Sequence, residues 1–440
     1  MAGRFGTDGI RGEVGTEITA DLALALGRAV GHRFGDGVAV VIGRDPRRSG
    51  EMLASALAAG LTSAGADVMD LGIVTTPCLV HASGATKSAG IMVSASHNPA
   101  PDNGLKVVVD GRKVDDDVEL DLDRLIDDPS PIAHRPNHGL GRVGTSDDPV
   151  RAYRRHLADI AGDAFEGLRL GIDCANGSAS AIAPDLFRSL GAEVTVLFAA
   201  PDGTNINDGC GSTHPGRLAA TVAAAGLDVG LAFDGDADRL IAVDEQGSLV
   251  DGDAIMGICA LARLRDGSLR NGTLVVTVMT NGGLERAVTE AGGRVVRTPV
   301  GDRHVFAAME QEDAVLGGEQ SGHIIFRDRA STGDGLLTGI ELVRAMRRSG
   351  MPLSELASGI PRLPQVVINS AASRRNEWEA VPEFASAVQR ATAQIGARGR
   401  ILVRPSGTEP KIRIMVEGDD GEEIERIARE LATLAEARLN

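Results

Sequence analysis

Aromatic residues are scarce in this 440-residue sequence, because phenylalanine, tryptophan and tyrosine together make up only 2% of it. Proteins that bind single-stranded nucleic acid stack bases on aromatic side chains, so the scarcity argues against that class. Positive charge is outweighed as well, since 45 lysines and arginines face 61 aspartates and glutamates and leave a formal net charge of −16. So acidic a chain repels polyanions. The composition therefore predicts no nucleic-acid partner.

Cysteine is rare and dispersed, with four residues that stand far apart and form no C-x-x-C pair. This spacing excludes a disulfide framework and suits a reducing compartment. No apolar run approaches the roughly 18 residues of a membrane span, and the opening MAGRFGTDGIRG lacks the apolar segment of a signal peptide. We therefore expect a cytoplasmic protein with no membrane partner.

Lysine is also uncommon, with only four among the 45 basic residues. Arginine keeps its proton in proteins, whereas lysine can be tuned to exchange one. Lys106 and Lys411 both lie in unusual polar loops. These two are therefore better candidates for catalysis or binding than an average lysine.

The sequence does contain a regular alternation of helix and strand patterns. Residues 19–33 have helical apolar spacing behind an N-capping Thr19, and residues 51–63 have a second such pattern. Apolar runs at residues 38–42 and 91–93 are typical of buried strands. This alternation predicts a largely parallel sheet with crossover helices.

A weak internal repeat indicates several related units. SAGADV, SLGAEV and EAGGRV, which begin at residues 63, 189 and 290, each end a helical pattern and start a strand. Three copies at intervals of about 100 residues predict three related α/β domains. The end of the chain differs, with strands at 401–404 and 412–416 and an amphipathic helix at 422–438. That pattern predicts a small α+β domain.

The segment LAFDGDADRL places Asp234, Asp236 and Asp238 at alternate positions in a glycine-containing turn between two strand patterns. Three close carboxylates repel one another unless a hard cation binds them. The spacing also fits part of an EF-hand calcium loop, but Arg239 stands where that loop needs glycine, and the flanks resemble strands. An acidic solvated turn is the other alternative. We expect a Mg²⁺ site with open positions for a phosphate oxygen.

The segment SASHNP follows the buried run at residues 91–93 and brings Ser96 and His97 to the end of a strand. Two interpretations explain why polar residues stand at this position. The segment is an ordinary turn, or Ser96 takes part in a chemical reaction. A Ser–His catalytic triad is not expected, because adjacent side chains diverge from an extended backbone.

Two further loops gather groups that bind sugars and phosphates. VRPSGTEPKIR combines guanidinium groups, hydroxyls and a glycine, which are the parts of a phosphate cradle. GGEQSGHIIF places a carboxylate, a hydroxyl and an imidazole at alternate positions entering a strand, which suits sugar hydroxyls or a satisfied strand end. The residues concerned are Arg404, Ser406, Gly407, Thr408 and Arg413 in the first loop, and Glu319, Ser321 and His323 in the second.

Together these loops resemble, in the same order, those of the α-D-phosphohexomutase superfamily, and the resemblance extends along the whole chain. SASHNP is similar to its phosphoserine loop, DGDADR to its metal loop, GEQSGH to its sugar loop and RPSGTEP to its phosphate loop. FGTDGIRG, GCGSTHP and Gln320 are similar to the branch that acts on glucosamine phosphates. His304 and MTNGGL depart from that branch near the expected sugar site.

The resemblance implies an α/β fold with three similar α/β domains containing mixed sheets and a small C-terminal α+β domain, arranged around a central cleft. We expect a polar linker at residues 127–149. The expected domains are a phosphoserine domain at 1–135, a metal-binding domain at 150–247, a sugar-binding domain at 250–358 and a phosphate-binding domain at 364–440.

The resemblance also implies the role of each site residue. Ser96 carries the phosphoryl group, with Ser94 as its structural neighbour. One Mg²⁺ per chain is held by Ser96, Asp234, Asp236 and Asp238. Arg239 stabilises the transferring group, and Lys106 is the candidate general acid/base, helped by Arg11 and His97. The sugar and phosphate loops bind the substrate.

The implied reaction is Mg²⁺-dependent isomerisation of glucosamine 6-phosphate to glucosamine 1-phosphate through a hexosamine 1,6-bisphosphate, which also serves as activator. The product would supply UDP-N-acetylglucosamine and cell-wall precursors. The alternatives are a mutase for mannose or glucose phosphates, a non-enzymatic cation-binding protein and a hydrolase. We expect a small sugar phosphate as the partner and a monomer or homodimer.

Overall fold

The computed structural model describes residues 4–6, 9–35, 37–406 and 410–440. The chain divides into two compact units. The large unit contains Met1–Thr277 and Val295–Ser358, and the C-terminal unit contains Val278–Arg294 and Gly359–Asn440. No helix within the described ranges is long and apolar enough to cross a lipid bilayer.

Helices and strands alternate along most of the chain. The helices are α1 (Ala20–Phe34), α2 (Gly50–Ser63), α3 (Thr76–Thr86), α4 (Asp116–Asp127), α5 (Asp148–Ala161), α6 (Ala183–Ser189), α7 (Gly216–Ala225), α8 (Gly252–Arg265), α9 (Gly282–Glu290), α10 (Asp302–Gln311), α11 (Gly335–Ser349), α12 (Leu353–Ser358), α13 (Pro382–Ile395) and α14 (Gly421–Arg438). The strands are β1 (Ile10–Glu13), β2 (Val40–Arg44), β3 (Val68–Ile73), β4 (Ala89–Val93), β5 (Asp102–Val109), β6 (Arg112–Lys113), β7 (Val143–Thr145), β8 (Arg169–Asp173), β9 (Glu193–Leu197), β10 (Val229–Phe233), β11 (Leu240–Asp244), β12 (Leu249–Val250), β13 (Thr273–Thr277), β14 (Arg294–Thr298), β15 (Leu316–Gly318), β16 (Ile324–Phe326), β17 (Gln365–Ala371), β18 (Gly399–Pro405) and β19 (Lys411–Gly418).

The first sheet has the order β1-β5-β4-β2-β3-β7, with β6 paired to β5. The strand β2 runs parallel to β3 and β4, whereas β5 is antiparallel to β4 and β1. The sheet is therefore mixed, and the largely parallel sheet expected from the helix–strand alternation is correct only for the four strands β4, β2, β3 and β7. The expected helix at residues 19–33 is α1, and the Thr19 side chain caps it by accepting from the Leu22 amide.

Two more mixed sheets follow in the large unit. The second has the order β12-β11-β10-β8-β9, and the third has the order β14-β13-β15-β16. In the second sheet β10 runs parallel to β8 and forms an antiparallel hairpin with β11. In the third, β13 is parallel to β15, and β15 forms a hairpin with β16.

The C-terminal unit contains a smaller antiparallel sheet of order β17-β19-β18. One face carries Ile412, Ile414 and Val416, which pack with apolar residues of α14 in a separate core. The α/β class with three mixed sheets and a small C-terminal α+β domain is thereby confirmed. The strands and helix expected in the last 40 residues correspond to β18, β19 and α14, whereas β17 and α13 were not foreseen.

The segment at residues 127–149 is not the simple linker that its polarity predicted. Its residues Val143–Thr145 form β7, which adds to the edge of the first sheet in parallel with β3. All three side chains are exposed, so this strand has no apolar pattern. Backbone pairing, helped by the Arg142 amide donating to Asp67 Oδ1 at 2.8 Å, holds it in place. Sequence periodicity does not detect a strand of this kind.

Candidate active site

Ser96 is buried just beyond the end of β4, in a left-handed backbone conformation with φ of +53°. Its hydroxyl donates a 2.6 Å hydrogen bond to Asp234 Oδ2, although the two residues are 138 positions apart. The strand β4 ends in the first sheet, and Asp234 follows β10 in the second. The serine loop and the acidic loop, both singled out in the sequence, therefore meet within the large unit.

Asp234, Asp236 and Asp238 are buried in the tight turn of the β10–β11 hairpin. Each offers an oxygen, and these oxygens lie within 4.8 Å of one another. The Oδ1 atoms of Asp236 and Asp238 are buried and accept no hydrogen bond from the described residues. A buried acceptor without a donor is costly, so these atoms fit a bound cation. The carboxylates are the hard oxygen ligands that Mg²⁺ and Ca²⁺ take.

The three carboxyl groups have different electrostatic environments. Burial, together with the charges of Asp238 and Asp236, raises the pKa of Asp234 well above its usual value. Burial acts in the same direction on Asp238, but the charges of Lys106 and His323 outweigh it and hold the pKa of Asp238 well below the usual range. The net pKa of Asp236 is also lowered, because Lys106 overcomes the effect of burial.

Lys106 supplies much of this positive charge from β5, where it pairs with Met92 of β4. Its Nζ atom lies 2.7 Å from Asp236 Oδ2 and 3.7 Å from Asp238 Oδ2, and the residue is only 4% exposed. The structure therefore brings the candidate acid/base lysine into the same buried cluster as the three aspartates.

His97 and Arg239 are beside Ser96 and Asp238. His97 Nδ1 lies 3.4 Å from Ser96 Oγ, so the two adjacent side chains approach each other, contrary to the divergence expected from an extended backbone. The expectation failed because Ser96 has a positive φ. Burial first, and then the charges of Arg239 and Arg11, lower the pKa of His97 to about 4. This imidazole is therefore neutral at pH 7.

Arg239 completes the cluster on one side. Its amide donates to Asp234 Oδ1 at 3.2 Å, and its Nε atom lies 3.8 Å from Asp238 Oδ1. Arg11 lies on β1, opposite Gly104 of β5. Both arginines are only partly buried, and the charge of each lowers the pKa of His97, the neighbour of Ser96.

The sugar-loop residues lie in the turn between β15 and β16, not in a strand, so their side chains do not share one face. Glu319 accepts from the Gly301 amide at 2.9 Å, and Ser321 is exposed. His323 is buried instead. Its Nε2 atom accepts from the Gly333 amide at 3.2 Å, and its Nδ1 atom lies 3.6 Å from Asp238 Oδ2.

The phosphate-loop residues belong to the C-terminal unit. Arg404 of β18 and Arg413 of β19 are directly opposite each other and line a cavity of about 210 Å³. Burial and the charge of Arg413 lower the pKa of Arg404. Ser406 is buried, and its amide donates to the Lys411 carbonyl at 2.8 Å. Gly407 and Thr408 lie outside the described residues.

Thr76 is a site residue that the sequence did not reveal. It is the first residue of α3, and its hydroxyl donates to Asp236 Oδ2 at 2.5 Å while its amide donates to the Asp236 carbonyl at 3.0 Å. Asp302 and Lys113 form a partly buried ion pair beside His323 and were missed as well. A threonine that opens a helix looks like an ordinary capping residue, so local sequence contains no signal for these contacts.

The fold and the site define a class: an enzyme of several α/β domains in which a buried serine meets a carboxylate cluster suited to a metal ion. The chain matches the domain models described as phosphoglucomutase/phosphomannomutase alpha/beta/alpha domain I over residues 2–131, domain II over 151–247, domain III over 251–363 and C-terminal domain over 367–434. The chain therefore belongs to the phosphoglucomutase/phosphomannomutase family.

Relatives of high identity share the whole length of the chain. A phosphoglucosamine mutase of Moorella thermoacetica is 50% identical over 443 residues, which cover 99% of each protein. One of Symbiobacterium thermophilum is 49% identical over 447 residues and covers both chains fully. One of Mycobacterium tuberculosis is 48% identical over 446 residues, or 99% of each chain.

Solved structures show the same fold. A phosphoglucomutase/phosphomannomutase family protein from Burkholderia thailandensis superposes with a TM-score of 0.84 at 29% identity, covering 100% of this chain and 99% of the other. N-acetylphosphoglucosamine mutase of Aspergillus fumigatus, solved with GlcNAc-6P and magnesium, superposes with a TM-score of 0.69 over 99% of this chain and 96% of the other. At 18% identity, the second likeness shows the fold alone.

Proposed function

We propose that this chain interconverts glucosamine 6-phosphate and glucosamine 1-phosphate through a phosphorylated Ser96 and a glucosamine 1,6-bisphosphate. The observation that carries the proposal is the 2.6 Å contact between the buried Ser96 hydroxyl and Asp234 of the carboxylate cluster. Identities of 47 to 50% along the whole chain to phosphoglucosamine mutases support the choice of sugar.

In the first half-reaction, the bond between Ser96 Oγ and phosphorus breaks and a bond from phosphorus to the free sugar hydroxyl forms. The hydroxyl proton passes to a base, for which we propose the uncharged form of Lys106. The bisphosphate then reorients, Ser96 Oγ attacks the other phosphoryl group, and Lys106 returns its proton to the sugar oxygen. The atoms balance, because each half-reaction breaks one P–O bond and forms another.

The carboxylates Asp234, Asp236 and Asp238 would hold one Mg²⁺ per chain, together with an oxygen on Ser96. When bound, the ion offsets negative charge on the transferred group. Arg239 is placed to do the same from the protein side. His97 is neutral at pH 7 and lies beside Ser96 Oγ. The charge of Arg11 acts on this imidazole, and we propose that both side chains orient the phosphoryl group.

Substrate recognition falls to the two remaining loops. Glu319 and Ser321 are proposed to bind sugar hydroxyls. Arg404, Ser406, Gly407, Thr408 and Arg413 are proposed to bind the phosphate that does not react, and the same residues serve both orientations of the bisphosphate. His323 contacts Asp238 in the structure, so we propose that it acts through that carboxylate as well as near the sugar.

The proposal is tested by assaying glucosamine, glucose and mannose phosphates side by side with Mg²⁺ and a trace of 1,6-bisphosphate. Glucosamine phosphate should turn over fastest, and Ser96→Ala should abolish turnover. Ser88→Ala is the matched control, since Ser88 is a buried serine just before the same strand. A preference for mannose or glucose phosphate would overturn the sugar assignment, release of free phosphate would indicate a hydrolase, and full activity of Ser96→Ala would refute the mechanism.

We also propose a cytoplasmic protein that acts as a monomer or homodimer on a small sugar phosphate, with no nucleic-acid or membrane partner. The net charge of −16 supports the first exclusion, because it opposes binding to polyanions.

A further inference from the structure

The backbone carbonyl of Ser96 is held by two side chains that the reaction described above does not use. Arg47 Nη2 donates to this oxygen at 3.0 Å, and Asn207 Nδ2 donates to it at 2.9 Å. The same two groups also donate to the Asn98 carbonyl, at 2.8 and 3.0 Å. The carbonyls of Ser96 and Asn98 are thus bound by the same pair of donors, called here the carbonyl clamp.

Arg47 is a buried hub for the whole loop. Its side chain is fully buried, pairs with Asp45 Oδ2 at 2.9 Å and also donates to the carbonyls of Pro99 and Asp102. Asp45 in turn accepts from the Ser94 hydroxyl at 2.6 Å. A guanidinium with this many carbonyl acceptors is a scaffold, because it presents donors in a fixed fork.

The amide side of Ser96 is held by the same network. The Ser96 N–H donates to Ser94 Oγ at 2.9 Å, and Ser94 is anchored by Asp45. Both peptide groups that flank the Ser96 side chain therefore have fixed directions. The remaining freedom of the residue is rotation about its side-chain bonds, and its hydroxyl already donates to Asp234.

Asn207 reaches Ser96 from a different part of the large unit, the loop that follows β9 and includes the GCGSTHP motif. The metal loop approaches the same place, because a Cβ on Gly235 would lie 2.4 Å from the Ser96 carbonyl oxygen. Asn207 Nδ2 would lie 2.9 Å from that Cβ. The serine loop, the Asn207 loop and the metal loop thus pack on one carbonyl.

This arrangement answers an energetic problem at Ser96. A left-handed conformation is unfavourable for a residue other than glycine, and it persists only where the surroundings enforce it. Without the clamp the serine would relax toward an ordinary conformation, and its Oγ would turn away from Asp234. Phosphoryl transfer needs that oxygen at the same position when it gives and when it receives the group.

We propose that Arg47 and Asn207 are positioning residues that hold Ser96 in its reactive backbone conformation by binding its carbonyl oxygen. The inference rests on the proposed function, since it assigns a cause to the geometry of the phosphorylated serine. It makes Asn207 a determinant of phosphoryl-transfer rate without any contact to the substrate or the reacting atoms.

Asn207→Gly is the decisive variant. Asn207 itself has a φ of +59°, which glycine adopts without strain, so the change removes the amide and leaves the loop backbone unforced. Asn205→Ala is the matched control, because Asn205 lies in the same loop and its side chain bonds within it, to Ala200 and Asp202. Arg47→Lys provides a second variant that keeps the buried charge but has fewer donors.

The experiment measures the rate at which dephosphorylated enzyme takes up a phosphoryl group from glucosamine 1,6-bisphosphate. Intact-protein mass spectrometry monitors this uptake over time. Asn207→Gly should slow this loading about 10- to 100-fold, as expected for misplacement of a reacting atom by about 1 Å, with KM for glucosamine 6-phosphate and the melting temperature nearly unchanged. Arg47→Lys should slow it too, and Asn205→Ala should load like wild type.

Loading of Asn207→Gly at the wild-type rate would overturn the carbonyl clamp while leaving the proposed function intact. An equal loss in Asn205→Ala would also overturn it, because the loop as a whole would then be responsible. A wild-type enzyme that takes up no phosphoryl group at Ser96 would refute the proposed function, and the clamp with it.

Discussion

Positive charge is arranged differently in the large unit and in the C-terminal unit. Around Ser96, Lys106 is 4% exposed and 2.7 Å from a carboxylate, and Arg47 is fully buried against Asp45. On the C-terminal sheet, Arg404 and Arg413 stand opposite each other, and among the described residues neither side chain has a hydrogen bond or an ion pair. In the first region Lys106 and Arg47 are each paired with a carboxylate, whereas the second presents a like-charged pair.

This difference in the pairing of charges distinguishes features that suit catalysis from features that suit binding. Charges that are buried and matched are held in place before the substrate arrives, which suits a centre where bonds break. Like charges directly opposite in a sheet destabilise it until an anion binds between them. The large unit therefore has the features of a chemical centre, and the arginine pair has those of a binding element.

Among the variants of the buried charged residues, Asp236→Asn should reduce turnover most severely. The change removes one of three charges from the cluster and the partner of Lys106, so we expect turnover to fall by about 10³-fold or more, since a metal contributes several kcal/mol. Mg²⁺ binding, measured by calorimetry with the metal alone, should weaken in parallel.

Asp244→Asn is the control for this change. Asp244 is a buried carboxylate of β11 in the same sheet, and its side chain accepts from the Gln246 and Ser248 amides. It should leave Mg²⁺ binding intact. Activity of Asp236→Asn that matches wild type, or wild-type activity that survives chelation, would contradict the metal assignment.

Two variants of Lys106 distinguish an electrostatic role of this residue from a role in proton transfer. Lys106→Met removes both, and Lys106→Arg keeps the charge but cannot give up a proton. If Lys106 is the general acid/base, both variants should lose about 10²–10³-fold in kcat. Retention of the rate by Lys106→Arg and its loss by Lys106→Met would leave the lysine a purely electrostatic role.

Sequence reasoning recovered the parts of this site better than their assembly. The DGDADR turn was predictable because strand patterns flank it on both sides, and Ser96 stood out as a polar residue at the end of an apolar run. That Ser96 touches Asp234, and that Thr76 touches Asp236, depends on the packing of separate sheets. No local pattern encodes a contact over 138 or 160 residues.

The errors have local causes. Glu319, Ser321 and His323 were expected at alternate positions entering a strand, but residues 319–323 form a turn, in which strand alternation does not hold. The expectation that Ser96 and His97 diverge failed at a positive φ, which serine rarely adopts. The strand β7 escaped notice because backbone pairing stabilises it without an apolar pattern.

Asp334 is a buried carboxylate that differs from the carboxylates paired with Lys106 and Arg47 in the large unit. It has hydrogen bonds but, among the described residues, no ion pair. Burial raises its pKa to about 6, although it accepts from the Leu337 amide and from the Tyr153 hydroxyl. The folded state therefore keeps this proton at pH values where the unfolded chain, in which the carboxyl has its ordinary pKa of 3.8, has lost it. The contribution of Asp334 to stability is present below about pH 4 and is lost as the pH rises through 6.

Asp334→Asn should remove that pH dependence. The amide oxygen can still cap α11 and the amide nitrogen can donate to Tyr153, so the variant should gain stability relative to wild type between pH 4 and pH 7. The gain should reach at most about 3 kcal/mol, from two pKa units at about 1.4 kcal/mol each. Chemical denaturation at pH 4 and pH 7 measures it, and an equal difference at both pH values would refute the assignment.

The proposed binding role of the arginine pair can be tested with two arginines of the same strand. Arg400 and Arg404 both lie on β18 and face the same side, but Arg400 pairs with the buried Glu417 at 3.0 Å and donates to the Val278 and Thr280 carbonyls. Arg404 faces Arg413.

Arg404→Ala should raise KM for glucosamine 6-phosphate by about 10- to 100-fold, the value of one charged hydrogen bond, and leave stability unchanged or higher because a repulsion is relieved. Arg400→Ala should instead lower the melting temperature, because it leaves Glu417 buried without its partner. If Arg404→Ala lowers the melting temperature as much as Arg400→Ala does and leaves KM unaltered, the arginine pair is a structural feature, and the contrast between matched and unmatched charge does not mark binding.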